Sequence, residues 1–576
     1  HLEYLPDVVK LYGSGLKYGT SHLFQSLPRM MTLFFNFGVE VQRESAAGAS
    51  AHRGVIANVS RDIVATMKDF LKVLPAHVWL AVLPQLISQV CHPNSQVAQV
   101  TKHIILKTLT AYPHQVIWAL VAVSKSKVQA RRSVTNDIIA QARRKSEDPG
   151  AKALFSEFDG FADQLKKLCN HQTTDARATT FSLSQASQLS SLRRYFPVEA
   201  IVPVQAALTP SFPNDGLGNA DYSPFSASST TTIQGMRDEV TLLNSLQKPK
   251  KVTVLGSNGK SYVFLFKPKD DLRKDARLME FASVANRLLA KAPDSRRRSL
   301  RLRTFAAVPL TEDCGMIEWV PNTFGFRRVC EGVYQDAGLF ERRTTFRNID
   351  AMYKKLNGEQ NPKWLLELLE EMPPLLHRWF LEQFQEPTAW FQARLKFSRS
   401  AAAWSMVGHI LGLGDRHGEN LLLDAASGDV VHVDFACLFD KGLDLGKPEV
   451  VPFRLTQNMI DGFGISGYEG VFRRACEITL EVLRNNKETL MSVLDTFVND
   501  PLVEWTSKSQ RGGDASQKLA KNALQNIESR LSGVVVGVGA APSLPLSPAG
   551  QADRLIAEAC NKDNLGTMYI WWMAWF

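Results

Sequence analysis

The spacing of apolar residues changes character several times along the chain. From the start to about residue 175, apolar residues recur at the three- and four-residue intervals of amphipathic helices. Two segments here, residues 75–82 and 113–120, resemble each other at a separation close to the roughly 40-residue period of paired-helix repeats. We therefore predict an α-solenoid whose residues Trp79 and Trp118 lie in its core.

Strand-like patterns follow two polar stretches, residues 173–191 and 210–232, that are rich in residues favouring loops. The predicted elements are a hairpin of residues 251–255 and 260–267 closed by an Asn-Gly turn, a helix over 271–289 and further strands within 300–320. This part of the chain is predicted to be a strand-rich lobe.

Helices dominate from about residue 361 to 500, where one short hairpin interrupts them. A polar, helix-capable segment at 509–532 and a linker rich in Gly, Pro and small residues at 533–550 follow. Residues from 551 onward are predicted to form one amphipathic helix that leads into the aromatic-rich tail 569–576. Insertion in a membrane interface and binding of a partner are alternatives for this tail, but we expect it to dock on the helical lobe, because exposed aromatic clusters promote aggregation.

Length, charge and cysteine content narrow the class of protein. A chain of 576 residues suggests about three or four domains, and because it begins with His1 we expect a piece of a longer protein. No apolar run approaches the length of a membrane span, and seven scattered cysteines without CxxC pairs favour a reducing compartment. The net charge of +10 is moderate, and the arginine runs resemble solvated loops more than a nucleic-acid surface.

The chemistry concentrates in residues 414–434. Asp415, His417 and Asn420 share one polar loop, and the hairpin that follows ends just before Asp434. Because the two ends of an antiparallel hairpin lie side by side, Asn420 and Asp434 are predicted to meet there, with Asp415 just before them. Oxygen ligands of this kind suit Mg²⁺, and Asp415 to Asn420 is the Asp-to-Asn spacing of a kinase catalytic loop. The pattern predicts phosphoryl transfer.

Two other interpretations compete for these residues. A single Asp or Asn in a turn usually only accommodates tight backbone angles and caps nearby N–H groups. The convergence of three polar groups makes that explanation weaker here. A zinc hydrolase using His409, His417 and His432 is the second alternative, but their spacings match no HExxH motif.

The first predicted hairpin carries a glycine-rich turn. It is not a Walker A loop, because Val254 stands where that motif needs its first glycine and the turn joins two strands. We predict that Ser257, Asn258 and Gly259 form a lid whose backbone N–H groups face phosphates. A plain surface hairpin is the alternative.

Lys267 ends the second strand of this hairpin, where it would neutralise nucleotide phosphates and pair with Asp275 or Asp270. Such a lysine is otherwise often a snorkelling surface residue. Glu280 is a weaker pairing candidate.

The end of the strand-rich lobe is predicted to bind adenine. Trp319 would form an apolar wall, and backbone groups of Glu318 to Val320 would bond the base edge, with nucleotide in a cleft between two lobes. Trp319 would otherwise be ordinary core.

These motifs resemble a known family. The sequences D-R-H-G-E-N at 415–420, H-V-D-F at 432–435 and K-P-K-D-D-L-R-K-D at 267–275 resemble the phosphatidylinositol 3-kinase-related protein kinases, which carry D-R-H where ordinary protein kinases carry H-R-D. The matching stretches cover most of residues 250–505, and residues 555–570 resemble the family's FATC segment. Within the family the best match is the replication-stress and DNA-damage checkpoint branch, in a fungal version.

The resemblance implies a nuclear Ser/Thr protein kinase that uses ATP with Mg²⁺, or alternatively Mn²⁺, and modifies Ser or Thr followed by Gln. It implies that Asp415 is the catalytic base, that Asn420 and Asp434 hold the metal and that His417 stabilises phosphoryl charge. It also implies that Lys267 contacts phosphate while pairing with Asp275.

The resemblance also implies partners and an architecture. A dedicated interacting protein would bind mainly through N-terminal repeats absent here, the complex would form a homodimer, DNA would be contacted only indirectly and no membrane would be involved. The implied fold class is α+β, a bilobal protein-kinase-like fold after an α-helical solenoid and before a FATC segment. The expected domains are 1–185 (helical repeats, end of the FAT domain), 186–320 (kinase N-lobe), 321–507 (C-lobe), 508–543 (regulatory helix and linker) and 544–576 (FATC).

Two rival functions remain. A lipid kinase shares the D-R-H order, but a phosphoinositide headgroup needs several cations in the activation segment. Residues 435–456 are about neutral, with Lys441, Lys447 and Arg454 offset by Asp440, Asp444 and Glu449. An inactive scaffold would lack catalytic groups that are present, although Ala436 replaces the glycine of the usual D-F-G motif.

Overall fold

The computed structural model describes residues 2–46, 53–173, 175, 177–213, 216–218, 222–226, 230–245, 247–356, 358, 361–498, 513–536 and 544–576. The family-like stretch at 499–505 and part of the predicted linker at 533–550 lie outside the described residues. The chain divides into two compact units. The first contains His1–Met279, Phe305–Trp319 and Ser492–Ser507, and the second contains Glu280–Thr304, Val320–Met491 and Lys508–Phe576.

The first unit begins with the predicted helices. They are α1 (Leu5–Leu16), α2 (Leu23–Ala46), α3 (Arg53–Val73), α4 (Ala76–Trp79), α5 (Leu83–Ser88), α6 (Ser95–Ala111), α7 (Pro113–Ser124), α8 (Gln129–Lys145) and α9 (Pro149–Asn170). Local sequence sets their ends: the Asn94 side chain accepts from the first N–H groups of α6, and Asp148 does the same for α9. Trp79 and Trp118 are buried, so the prediction that they belong to the core is confirmed.

An antiparallel sheet of eight strands completes this unit. The strands are β1 (Thr180–Ser182), β2 (Val198–Ile201), β3 (Thr232–Met236), β4 (Glu239–Leu242), β5 (Lys250–Gly256), β6 (Ser261–Pro268), β7 (Ala307–Pro309) and β8 (Cys314–Glu318). A short helix, α10 (Gln205–Leu208), lies between β2 and β3 in the chain. The predicted β5–β6 hairpin is confirmed, and Gly259 at its turn has φ +77°, which favours glycine.

Strand β1 lies within the range that the sequence assigned to the helical repeats. It pairs with β4, Thr180 opposite Thr241, although it sits in the Ser/Thr-rich stretch that we expected to be loop. A three-residue, partly exposed strand carries no alternating apolar signal, which is why the sequence pattern missed it.

Helices dominate the remaining chain, as predicted. They are α11 (Arg273–Lys291), α12 (Pro293–Arg297), α13 (Phe326–Asp336), α14 (Arg342–Lys355), α15 (Lys363–Glu371), α16 (Leu376–Gln383), α17 (Pro387–Leu411), α18 (Gln457–Phe463), α19 (Val471–Asn485), α20 (Lys487–Val498), α21 (Gly513–Leu531), α22 (Pro548–Cys560) and α23 (Lys562–Thr567). No helix among the described residues has the length and apolar character that crossing a bilayer requires.

A three-stranded sheet in the second unit holds the predicted catalytic hairpin. Its strands are β9 (Thr323–Gly325), β10 (Leu421–Asp424) and β11 (Val430–His432), with β10 in the centre. The hairpin of β10 and β11 is confirmed, with Leu421 opposite His432. Strand β9 was not predicted, because three residues containing a glycine give no strand pattern.

The last residues form two helices where the sequence predicted one. Asn561 interrupts the helix, and its side chain accepts a hydrogen bond from Asn564 N (2.9 Å), which starts α23. The expected docking of the aromatic tail is confirmed. Trp575 and Phe576 are fully buried in the second unit, where Trp575 packs edge-on against Trp364 of α15 and Phe576 packs near Tyr334 of α13.

Candidate active site

The polar loop begins where α17 ends. Gly412 terminates the helix in the left-handed conformation (φ +60°), and the chain then turns through Asp415, which is also left-handed (φ +60°). An aspartate tolerates this conformation better than most residues do. Asp415 N donates to Glu449 Oε2 (2.6 Å), which holds the strained backbone in place.

The hairpin places Asn420 at its open end, in contact with Asp415 and beside the residue that precedes Asp434. Asn420 Nδ2 donates to Asp415 O (2.9 Å) and lies 3.4 Å from Asp415 Oδ2. Val433 N donates to Asn420 O (3.0 Å), so Asn420 is paired with the residue that precedes Asp434. Asp434 is also left-handed (φ +59°). The β-ladder therefore fixes the backbone of Asn420 beside the end of β11, close to Asp434 in the chain.

The donor set fits a magnesium ion. The amide nitrogen of Asn420 faces Asp415, which leaves Asn420 Oδ1 as the acceptor of that side chain. Asp434 adds a carboxylate that is only partly buried. Two hard oxygen groups are what Mg²⁺ usually takes from a protein, with phosphate and water completing its shell.

His417 lies beside the predicted base as a neutral ring. Burial lowers the pKa of His417 although the nearby Asp415 carboxylate acts in the opposite direction. Its Nδ1 accepts from Glu419 N (3.2 Å), so the ring proton is on Nε2, and that nitrogen lies 3.8 Å from Asp415 Oδ1. His417 can thus donate one hydrogen bond into the site without carrying a full charge.

Arg416 lies between Asp415 and His417 in the sequence, and its side chain holds the loop in position. Its guanidinium is buried and donates to Gly414 O (2.9 Å), to Val433 O (2.9 Å) and to Asp434 O. Burial lowers its pKa, while the carboxylates of Asp434 and Asp415 oppose that effect. The side chain ties the loop to the end of β11 through backbone oxygens, so it fixes the spacing between Asp415 and Asp434.

Glu449 supports the loop from the activation segment. Burial raises the pKa of Glu449, even though its bond with Asp415 N favours the ionised form. A Cβ on Gly414 or Gly442 would lie 2.7 or 2.9 Å from Glu449 Oε2, so both glycines are needed to make room for the carboxylate.

We expect Glu449→Gln to preserve the hydrogen bond from Asp415 N. The substitution should also remove the free-energy cost of holding a buried carboxylate ionised at neutral pH. Because the folded-state pKa is above the usual value of 4.5, wild-type stability is lost as the pH rises from that value through the raised pKa. The thermal unfolding temperature of the variant, measured relative to that of wild type, should be higher at pH 7.5 than at pH 5. The exposed Glu367→Gln is the control, and an equal difference at both pH values would contradict the prediction.

The histidines of the zinc alternative do not form a site. His432 is buried and stacks on Trp404 (ring centroids 4.9 Å apart, 11° between planes), and burial lowers the pKa of both His432 and His409. Over the part of the chain that the structure describes, no three His, Cys, Asp or Glu side chains are grouped to hold a metal. His432 is a core residue.

The predicted nucleotide residues of the first unit occupy β6, its turn and α11. Lys267 Nζ pairs with Asp270 Oδ2 (3.2 Å), one of the two carboxylates that the sequence favoured for it. Asp275 is buried in the first turn of α11. At the turn, Ser257 N donates to Thr232 O (2.9 Å) and Gly259 N donates to Gly256 O (3.0 Å), so these two N–H groups, which we predicted to face phosphates, are already bonded within the protein.

Two backbone N–H groups at the predicted adenine site are not free to bond a base. Glu318 N donates to Ala306 O (2.8 Å) and Trp319 N donates to Val263 O (2.9 Å), so neither N–H group is available to a base. Lys251 Nζ covers one face of Trp319 at 4.3 Å from the ring centroid. In the second unit, Val320 O accepts from Thr323 Oγ1 (2.8 Å). The sequence could not reveal these bonds, because they depend on neighbouring strands.

Sequence reasoning also missed residues that support the site. Arg416 lies in the D-R-H-G-E-N motif and Glu449 in the activation segment, but only their hydrogen-bond partners in the structure reveal their roles. Asp440 of the activation segment pairs with Arg530 (2.6 Å) and accepts from Asn526 (3.2 Å), both on α21. No sequence signal links α21 to that segment, because the residues are far apart in the chain.

Three family models match the chain. Residues 261–507 match the phosphatidylinositol 3- and 4-kinase model, residues 545–576 match the FATC domain and residues 62–160 match the HEAT repeats of ATR-like serine/threonine-protein kinases. The predicted fold class, a kinase fold after a helical solenoid and before a FATC segment, is confirmed.

Known proteins similar to the chain include protein kinases. It is 51% identical to the serine/threonine-protein kinase ATR of Oryza sativa subsp. indica, with 99% of this chain and 21% of that protein covered. It is 38% identical to protein kinase rad3 of Schizosaccharomyces pombe, with 100% and 24% covered. The expectation of a fungal version is wrong, since identity to the plant protein is much higher. The chain spans about a fifth of the length of the plant relative.

A solved structure shares the fold. The chain is 25% identical to the complete CtTel1 dimer with C2 symmetry, with a TM-score of 0.82 over 100% of this chain and 20% of that one. Together with the D-R-H-G-E-N loop and its hairpin, these findings make the chain similar to phosphatidylinositol 3- and 4-kinases over residues 261–507 and to ATR serine/threonine-protein kinases over almost its whole length.

Proposed function

We propose that this chain is the catalytic part of an ATP-dependent serine/threonine protein kinase of the DNA-damage and replication-stress checkpoint. The observation that carries the proposal is the arrangement of Asp415, Asn420 and Asp434 at the open end of the β10–β11 hairpin. Kinase names among relatives at 38–51% identity over almost the whole chain support it independently.

Each polar residue has a role in this proposal. Asp415 accepts the proton of the substrate hydroxyl as that oxygen attacks the γ-phosphorus, and His417 donates from Nε2 to phosphoryl oxygen. Asn420 and Asp434 would hold Mg²⁺, which when bound neutralises phosphate charge. Arg416 and Glu449 hold the loop so that these groups keep their spacing.

The first unit is proposed to bind the nucleotide. Lys267 contacts phosphate, Asp270 pairs with it and Asp275 contributes from α11. The turn residues Ser257, Asn258 and Gly259 cover the phosphates. Trp319 offers its apolar surface to the adenine, and the remaining backbone groups of Glu318 and Val320 bond the base edge.

The activation segment favours a protein substrate over a lipid. Arg454 is only 2% exposed and Asp440 is paired with Arg530, so these charges are not presented to a substrate. Lys447 Nζ donates to Tyr353 Oη (3.1 Å). Of the three cationic side chains in residues 435–456, Lys441 and Lys447 are therefore the two that solvent reaches. Two cations are fewer than a multiply phosphorylated headgroup requires.

Further features of the proposal come from the family. We propose that the substrate Ser or Thr precedes Gln, that Mn²⁺ can replace Mg²⁺ and that the protein acts in the nucleus. The ATR-interacting protein would bind mainly through repeats outside this chain, DNA would be reached only through partners and the complex would form a homodimer, as CtTel1 does. The proposed domains keep the boundaries 1–185, 186–320, 321–507, 508–543 and 544–576, although β1 at the end of the first domain pairs with β4 of the second.

The substrate class is tested by offering the protein a Ser-Gln peptide and phosphoinositide vesicles with labelled ATP and Mg²⁺. We expect label in the peptide. Replacing its Gln by Gly should reduce that label by about tenfold. Label confined to lipid would overturn the protein-kinase proposal. Asp434→Ala is the matched control, because it should remove label from either substrate, and label that persists would reveal a contaminating kinase.

A further inference from the structure

A pair of buried thiols lies where the helical segment meets the sheet within the first unit. Cys169 is in the last turn of α9, Cys314 begins β8, and both side chains are 0% exposed. The Cys169 thiol donates to Gly315 O (3.5 Å), and Asn170 Nδ2 lies 3.9 Å from the Cys314 sulfur, so two consecutive residues of α9 contact two consecutive residues of β8 and bring the thiols together.

Polar groups around Cys314 stabilise a thiolate. The Asn170 amide donates to its sulfur (3.9 Å), and the Thr311 hydroxyl, 3.1 Å from the sulfur, donates to Asp313 Oδ1 (2.7 Å) and would have to turn its proton toward the sulfur to bond a thiolate. The hydrogen bond from Cys169 lowers the pKa of Cys314 to about 7, although burial and the Asp313 carboxylate oppose it. Burial raises the pKa of Cys169, so at neutral pH Cys314 supplies the thiolate and Cys169 the thiol.

The burial of Cys314 is shallow. Its neighbour in the chain, Asp313, and its contact Asn170 are both exposed, so the sulfur lies one side chain below the surface. Cys330 and Cys476 are also buried, but burial raises the pKa of each thiol, and no comparable donors offset it.

We propose that Cys314 and Cys169 form a reversible oxidation site for hydroperoxides. The Cys314 thiolate attacks one peroxide oxygen, the O–O bond breaks, and the protonated products are a sulfenic acid and one water molecule. The Cys169 sulfur then displaces the sulfenic hydroxyl, which leaves as a second water, and a disulfide forms. Two electrons pass from the sulfurs to the peroxide, and a dithiol reductant restores both thiols.

The disulfide would join α9 covalently to β8. In the reduced protein, Lys250 Nζ donates to Cys169 O (2.7 Å), and this bond already links the end of α9 to β5. Oxidation would therefore strengthen an existing attachment between the helical segment and the sheet.

The test uses the purified chain, pulsed with hydrogen peroxide, alkylated under denaturing conditions and analysed by peptide mass spectrometry. We expect an intramolecular Cys169–Cys314 disulfide that dithiothreitol reverses, with Cys314 consumed at least about tenfold faster than Cys476. Cys169→Ser should leave Cys314 as a sulfenic acid trapped by dimedone, and Cys314→Ser should protect Cys169. The site is refuted if Cys314 reacts no faster than Cys476, or if its disulfide forms with another cysteine; the wild-type comparison decides even if a variant misfolds.

Discussion

Asp415→Asn is expected to lower kcat by about 10²–10⁴-fold while the Kd for ATP stays within about twofold. In the proposed mechanism the Asp415 carboxylate takes the proton of the attacking hydroxyl, and a carboxamide cannot do so. Nucleotide affinity should change little, since loss of a base affects the transition state more than the ground state. Turnover of a Ser-Gln peptide and equilibrium binding of an ATP analogue measure the two effects separately.

Asparagine is the sharpest replacement because it retains the local structure. It tolerates the left-handed backbone at this position, its N–H can still bond Glu449, and its side-chain oxygen can still accept from Asn420. Glu419→Gln is the matched control: Glu419 is exposed on the same loop and pairs with Arg327 (2.9 Å), so its loss should leave kcat within about twofold. Normal turnover by Asp415→Asn would show that Asp415 is not the base.

A chain ending at Asn564 is expected to lose most of its kinase activity together with stability of the second unit. The deletion removes the buried residues Trp572, Trp575 and Phe576, and losing one buried tryptophan alone costs about 3–5 kcal/mol. It also removes the acceptors of Arg454, whose guanidinium donates to Trp572 O (2.8 Å), Met573 O (2.7 Å) and Phe576 O (3.3 Å).

Arg454 connects this tail to the catalytic loop. It belongs to the activation segment, is buried without a paired carboxylate in these contacts, and also lies 3.5 Å from Arg416 O. Burial lowers the pKa of Arg454 to about 10, so the guanidinium stays charged at neutral pH. Without the tail carbonyls this charge would lack its main partners, and the activation segment would have to rearrange to hydrate it.

Smaller changes separate the tail's packing from its hydrogen bonds. Trp575→Ala should lower the thermal unfolding temperature and kcat together, whereas Tyr569→Ala, at a site that is 55% exposed, should change neither appreciably. Arg454→Met keeps the tail but removes the donor to its carbonyls, and we expect lower kcat from it as well. Full activity of the chain ending at Asn564 would refute a functional role for tail docking.

The parts of the fold that sequence predicted well are those with a local signal. The β5–β6 hairpin follows from an Asn-Gly turn between alternating strands, and α7 begins at Pro113 because proline suits the first helical position. The catalytic hairpin follows for the same reason, and its register alone brings Asn420 beside Val433. In contrast, β1 and β9 exist only because a longer strand is present to pair with them.

The identities of Asp415, Asn420 and Asp434, and their order around one hairpin, were determined by the sequence alone, because short-range chain geometry is enough to gather them. Tertiary structure decided what holds them there. Glu449 accepts from Asp415 N, Arg416 donates to the backbone after β11, and Arg454 bonds the tail to the activation segment. Those contacts join residues that are far apart in sequence. Burial gives them their strength, and burial is a property of the folded chain that no local pattern encodes.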